Sequence, residues 1–272
     1  MAADTYVLGT EPAEQERLRL QHELWLPAAK EAWGRSGLGL GQRVLDLGAG
    51  PGYGALELAR AVGPRGRVLG LELSPTYVEA GRRAAHASGL AQLELRRHDL
   101  RSDPLPTEGF DLAWCRWVAM FLPSVEPLVE QLAAALRPGG QVVLHEYIHW
   151  DSFGLHPHGG AVGRFGTAAQ ASFRASGGDP DVNRRLPTLL ATHGFRIEEL
   201  RPLLLLGRNG DPVAAWIERF IATFGPELVR QGLWSEDDAD RAGGEIAEAR
   251  RNPGAFWVGP TVMELRATKL DP

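Results

Sequence analysis

The sequence predicts an α/β protein built on an open, largely parallel sheet. Three observations point there. Short apolar runs alternate with helical stretches over residues 41–149. The first run, Val44-Leu45-Asp46-Leu47, ends in Gly48-Ala49-Gly50-Pro51-Gly52 and passes directly into a helical stretch, Ala55–Ala61. Polar side chains (Glu72, Asp99 and Arg116) follow later runs. Sheets of this kind bind ligands beyond the carboxyl ends of their strands.

Before the sheet, 11–33 reads as one or two helices, with Leu18, Leu20, Leu24, Trp25 and Leu26 as apolar faces and Pro27 breaking or restarting the run. Strands are expected at 43–47, 67–72, 92–97, 110–115 and 141–148, and helices at 53–62, 75–88 and 125–136. Ser74-Pro75 and Ser124 supply start signals for the later two helices. Beyond 150, a loop rich in His, Gly and Pro leads to a short helix at 161–175. A helix over 186–193 is closed by Gly194, and a strand over 195–206 carries Pro202 at an edge or bulge. Two more helices, 212–232 and 235–251, precede a last strand at about 256–269.

A strand that turns through glycines into a helix presents bare backbone N–H groups and a helix N-terminus to a ligand. The dinucleotide fingerprint G-x-G-x-x-G would need a glycine at position 53, which is Tyr53. The chain instead carries an acid, Asp46, followed by glycines at 48, 50 and 52. This stretch resembles motif I of the class I S-adenosylmethionine-dependent methyltransferases. Its companions follow in the family's order: Gly66–Ser74 ending a second strand in Glu72, Leu95–Leu100 with Asp99, Phe110–Arg116, and the turn Leu136-Arg137-Pro138-Gly139-Gly140. The Tyr6-Val7-Leu8-Gly9 leader and the Leu-rich helix after it are similar to a bacterial subgroup acting on small molecules.

The resemblance implies a Rossmann-like doubly wound sheet of about seven strands, the last antiparallel between strands five and six. It also implies an N-terminal helical lid (1–40), a cofactor-binding core (41–150), and a C-terminal part of the sheet with a helical cap (151–272). S-adenosylmethionine would be held by Asp46, Gly48, Ala49, Gly50, Gly52, Glu72, Leu73, His98, Asp99, Leu100 and Arg116. In that scheme the glycine loop takes the methionyl end, Glu72 the ribose hydroxyls and Asp99 the adenine amino group. Asp46 orders the amino group, and Arg116 either pairs with a carboxylate or serves the structure. Tyr6, Gln21, His22 and Trp25 are lid candidates, with Tyr6, His22 and Trp25 facing the acceptor, unless that helix merely packs on the sheet. Trp216 and Phe220 are either acceptor walls or core between cap and sheet, and Tyr147 joins them as an acceptor contact.

His145-Glu146-Tyr147-Ile148-His149 matches H-E-x-x-H, which binds zinc when the histidines stack on one helix face. Here the residues continue an apolar strand, which separates the two histidines by about 13 Å at ~3.3 Å per residue. No metal is expected. His149 and Glu146 at the strand's carboxyl end are instead candidate general bases, with structural hydrogen bonding as the alternative.

Composition bounds the partners. The 272 residues carry a net charge of −5, which argues against general affinity for nucleic acid or anionic membrane. No run approaches the ~18–20 apolar residues of a membrane helix, and a cytoplasmic protein is expected. The single cysteine, Cys115, excludes an internal disulfide. The expectation is methyl transfer to a small molecule, O-methylation ahead of N- or C-methylation, with S-adenosylhomocysteine as product and a monomer or homodimer as the working form. A cyclisation or rearrangement around retained cofactor, or a non-catalytic binding module, is the alternative.

Overall fold

The computed structural model describes residues 11–271. Tyr6 lies outside them. The described residues open on α1 (Pro12–Arg35), one helix that continues through Pro27. An internal proline costs a helix about 3 kcal/mol. Burial on both sides of it, Trp25 before and Ala29, Ala32 and Trp33 after, holds the helix together.

The core then runs β1 (Arg43–Leu47), α2 (Tyr53–Val62), β2 (Arg67–Glu72), α3 (Pro75–Ala87), β3 (Leu93–Arg97), β4 (Phe110–Arg116), α4 (Glu126–Ala135) and β5 (Leu136–His149). Ser74 caps α3 through a hydrogen bond from Tyr77 N, with Pro75 in the first turn, as its sequence predicts. Ser124 does not cap α4; its hydroxyl donates to the Glu126 carboxylate at 2.7 Å. The turn over Pro138-Gly139-Gly140 is absorbed into β5. The register with β4 slips from Phe110 opposite Leu136 to Leu112 opposite Gln141, so that corner bulges out of the ladder.

The second half comprises β6 (Gly154–His156), α5 (Gly160–Ala175), α6 (Leu186–Thr192), β7 (Phe195–Leu203), β8 (Leu206–Arg208), α7 (Pro212–Arg230), α8 (Glu236–Ala249), β9 (Phe256–Val258) and β10 (Thr261–Lys269). The main sheet has seven strands in the order β3-β2-β1-β4-β5-β10-β7. The first five strands are parallel, and β10 runs antiparallel to both β5 and β7. Pro202 falls on the edge strand β7, a position that tolerates a missing N–H.

The expected final strand is split at Gly259-Pro260. Its first part, β9, leaves the main sheet and pairs antiparallel with β6 and β8. That small sheet, with Trp257 fully buried, is not foreseen from the sequence. Strands of three residues are too short to show a period.

Both faces of the main sheet are covered. In β1, Leu45 and Leu47 join one apolar cluster and Val44 the other. The chain order reverses about β1, whose neighbours are β2 and β4. Their carboxyl ends therefore open a crevice at the topological switch point.

Candidate active site

Gly48, Gly50 and Gly52 lie between β1 and α2 at φ of 65°, 56° and 87°, a region that L side chains rarely adopt. Gly50 faces open space, and its N–H donates to Glu72 Oε2 at 2.9 Å. Gly52 serves packing instead. A Cβ there would come within 3.1 Å of Gly81 Cα, so its bare Cα lets α2 and α3 approach. Gly52 does not line the cleft, a correction to its assignment as a cofactor contact.

The cleft beyond the strand ends has a volume of about 210 Å³. Asp46, Gly48, Ala49, Gly50, Glu72, Leu73, His98, Asp99, Leu100 and Arg116 all line it, with Arg116 on the β4 side of β1 and His98, Asp99 and Leu100 beyond β3. His22, on α1, lines it as well. All but one of the predicted cofactor residues thus meet around one cavity.

Burial pushes the Asp46 carboxyl up to about 7, against the pull of the Arg116 charge. Burial likewise brings the Arg116 guanidinium down to about 10, with Asp46 opposing. No ion pair joins the two. Asp46 Oδ2 and Arg116 Nη1 are buried without hydrogen-bond partners among the described residues. The guanidinium stands over Trp117 at 5.1 Å, and its Nη2 lies 3.5 Å from His22 Nδ1. Burial, and then the Arg116 charge, lower His22 to about 4.

Glu72 Oε1 accepts from Ser74 N at 2.8 Å, and burial raises the carboxyl despite these backbone donors. Asp99 is turned toward Arg101, whose Nε and Nη2 reach its oxygens at 2.8 and 2.7 Å. That pair holds Asp99 below its ordinary range. His98 beside it keeps a buried Nε2 with no partner among the described residues, and burial lowers its pKa.

A second, smaller chamber of about 50 Å³ shares Gln21, Trp117 and Phe121 with the first. Tyr147, Trp216 and Phe220 line it, as does Arg17. Trp25 lines neither chamber. It is buried against Trp117 and Trp216, with ring centroids 5.2 and 6.0 Å away, and so belongs to the packing between α1 and α7.

The two candidate bases are corrected as well. His149 is exposed at the end of β5 and lines neither chamber. Glu146 is fully buried, and its Oε1 accepts from Val118 N at 2.7 Å and Ala119 N at 2.8 Å. It braces the connector after β4, where Trp117 sits at φ 54°, strained for a residue with a side chain. Burial raises Glu146 to about 7. His145 lies in the same strand, bonded to Glu264 at 3.2 Å. Among the described residues no group of three or more His, Cys, Asp or Glu is arranged to hold a metal ion.

Gln21, a lid candidate, lines both chambers; Trp117 and Phe121 also line both and Arg17 the second, and the sequence does not single these three out as site residues. Trp117 alone carried a signal, by following Arg116 at a strand end.

A profile of the methyltransferase domain matches residues 44–140. The aklanonic acid methyltransferase DauC of Streptomyces sp. (strain C5) is 31% identical over 124 residues, 46% of this chain and 56% of the relative. A 2-phytyl-1,4-naphtoquinone methyltransferase of Synechococcus elongatus is 32% identical over 45% of this chain and 52% of its own. The chain spans about half the length of these curated relatives. Among solved structures, the [4+2]-cyclase SpnF superposes with a TM-score of 0.55 at 19% identity, covering 90% of this chain and 82% of its own. Geranyl diphosphate C-methyltransferase from Streptomyces coelicolor, solved with S-adenosyl-L-homocysteine, gives 0.59 at 17%, covering 97% and 84%. At such identities the structures bear on the fold alone. The strand order and the glycine loop agree with the matched profile: residues 44–140 are similar to a methyltransferase domain.

Proposed function

We propose that this protein transfers the methyl group of S-adenosylmethionine to a small-molecule acceptor, with an oxygen as the favoured site. The observation that carries this reading is the unpaired set at the switch point. A buried carboxylate oxygen on Asp46 and a buried guanidinium nitrogen on Arg116, each without a partner among the described residues, answer the ammonium and the carboxylate of an amino-acid group. Glu72 retains lone pairs for ribose hydroxyls after accepting from Gly50 and Ser74. His98, with its unmatched Nε2, suits the adenine side better than Asp99, which is already engaged by Arg101.

When bound, S-adenosylmethionine supplies an electrophilic methyl group on a sulfonium and leaves as S-adenosylhomocysteine. The protein's own work is alignment and exclusion of water. The Trp117–Leu122 connector, braced by Glu146, forms the wall common to both chambers. Tyr147, Trp216 and Phe220 would hold the acceptor, and the relatives' named substrates, aklanonic acid and a naphtoquinone, are small molecules. Among the described residues no carboxylate lines the second chamber, so an amine would find no counter-charge there. That supports oxygen over nitrogen. The acidic balance of −5 favours such an acceptor over nucleic acid.

The second reading, cyclisation or rearrangement around retained cofactor, draws support from the SpnF fold. Incubation with methyl-labelled S-adenosylmethionine and a panel of hydroxylated aromatic compounds separates the two. Label in the organic product with stoichiometric S-adenosylhomocysteine is expected. Tight adenosyl binding with acceptor turnover but no S-adenosylhomocysteine would favour the second reading.

A further inference from the structure

We infer that the acceptor is a planar hydroxyaryl carbonyl compound, neutral or anionic, held in the aromatic chamber by hydrogen bonds from the Trp117 and Trp150 indoles. The inference rests on the methyl-transfer reading and names the substrate class of that site.

The chamber's walls are rings. Trp117 stacks on Tyr147 at 5.5 Å with 20° between planes, and Trp150 lies 4.7 Å from Tyr147. Such a box accepts flat aromatic molecules and also, in principle, an ammonium ion. The charges decide between them. Arg17 already stands 5.4 Å over Phe220, and Arg116 stands 5.1 Å over Trp117. The Arg17 charge is matched by buried Glu14, through contacts of 2.7 and 2.6 Å. Arg116 has no such ion-pair partner among the described residues. A third cation on these faces would be repelled, whereas an anionic oxygen would be welcome.

The hydrogen-bonding inventory points the same way. Trp117 Nε1 and Trp150 Nε1 are buried without partners among the described residues, and an unmet buried donor costs about 1–3 kcal/mol. Burial raises the Tyr147 hydroxyl, so it keeps its proton and can donate. Gln21 alone, among the described side chains that line the chamber, brings a carbonyl acceptor. That oxygen is taken by Arg17 Nη1 at 2.7 Å and Trp216 Nε1 at 3.0 Å. The ligand must therefore supply acceptor oxygens.

It must also give up its own proton readily. No imidazole lines the second chamber among the described residues; His22, next to the shared Gln21, lines the first, and its Nδ1 faces the Arg116 donor. Its neutral ring then carries hydrogen on Nε2 and donates rather than accepts. A hydroxyl conjugated with a carbonyl is a stronger acid than a plain phenol, so it loses its proton to bulk water more readily before it binds.

At about 50 Å³ the chamber is smaller than the roughly 150 Å³ that holds benzene. A ring enters only as Trp216 and Phe220 of α7 draw away from α1. The Trp216–Gln21 hydrogen bond is the latch that must open.

Calorimetric titration of the full chain tests this, with and without S-adenosylhomocysteine. The probes are 2-hydroxy-1,4-naphthoquinone and, as a cation of similar shape, 1-naphthylmethylamine. The hydroxyquinone should bind at least tenfold tighter than the amine. Trp117→Phe and Trp150→Phe keep a ring but lose the donor, and each should weaken hydroxyquinone binding about five- to tenfold. Equal or tighter binding of the amine, or full hydroxyquinone affinity in both variants, would overturn the inference. The comparison of probes on the unaltered chain needs no variant to fold. S-adenosylhomocysteine binding without hydroxyquinone binding would sink the acceptor class alone. Hydroxyquinone selectivity without adenosyl binding would uphold the chamber's chemistry and sink the methyl-transfer reading.

Discussion

Asp46, next to last in β1, and Arg116, last in the neighbouring parallel strand β4, each keep a buried polar atom that the other does not satisfy. Each pulls the other toward its charged form. Yet burial outweighs that pull for both. A ligand carrying both an ammonium and a carboxylate would resolve that tension.

The first prediction follows from the Asp46 value. With its carboxyl raised to about 7, Asp46 must lose a proton to take an ammonium. Affinity for S-adenosylhomocysteine should rise about tenfold from pH 6 to pH 8, with proton release, as expected for one group titrating near 7. Asp46→Asn should bind weakly and lose the pH dependence. Calorimetry in buffers of different ionisation heat measures both, and a flat profile in the unaltered protein would contradict the assignment.

Stability carries a related signature of opposite sign. Asp46 and Glu146, both raised to about 7, favour the folded state while protonated. Their contribution is complete below about pH 4 and is lost as pH rises through about 7. Asp46→Asn and Glu146→Gln should each flatten the fall in the ligand-free thermal midpoint between pH 5 and 8. Denaturation scans against pH test this.

Glu146 acts as a positioning residue. Glu146→Gln keeps an acceptor for Val118 and Ala119 and should retain the fold. Glu146→Ala leaves those buried donors unmet, at about 2–4 kcal/mol. The thermal midpoint should fall by roughly 5–15 °C, at ~2–4 °C per kcal/mol, and KM for the acceptor should rise. A stable Glu146→Ala protein with unchanged KM would show that the connector does not depend on this brace.

His149→Ala should change neither turnover nor adenosyl affinity, because the side chain is exposed and lines neither chamber. A tenfold loss of kcat with a responsive acceptor would restore it as a base.

Glu72→Ala should weaken S-adenosylhomocysteine binding by one to two orders of magnitude. The substitution removes charge-assisted bonds worth ~1.5–3 kcal/mol and releases the Gly50 and Ser74 N–H groups. Equilibrium dialysis on the folded variant checks it.

The parts legible in the sequence are those encoded by short, contiguous patterns. The β1–α2 loop, the strand-end residues Glu72, Asp99 and Arg116, and the antiparallel β10 all follow from local signals or family order. The acceptor chamber is different. Its walls come from α1, β5, α5 and α7 and from the connector after β4, and no spacing joins Arg17 to Trp150 or Phe220. For β5, alternation separated Tyr147 from Glu146 but said nothing of depth. The strand is enclosed between β4 and β10, so Glu146 meets a backbone turn rather than a ligand. At Pro27, propensity lost to the burial of Trp25 and Trp33.

The central claim is that the glycine loop is an adenosyl-methionine site, and the thermal midpoint with and without S-adenosylhomocysteine tests it most directly. Ligand at 100 times its dissociation constant adds about 2.7 kcal/mol, roughly 5–10 °C for a chain of this size. That shift is expected with S-adenosylhomocysteine, and none with NAD⁺ at the same concentration. No shift with the adenosyl ligand, or an equal shift with both, would contradict the claim.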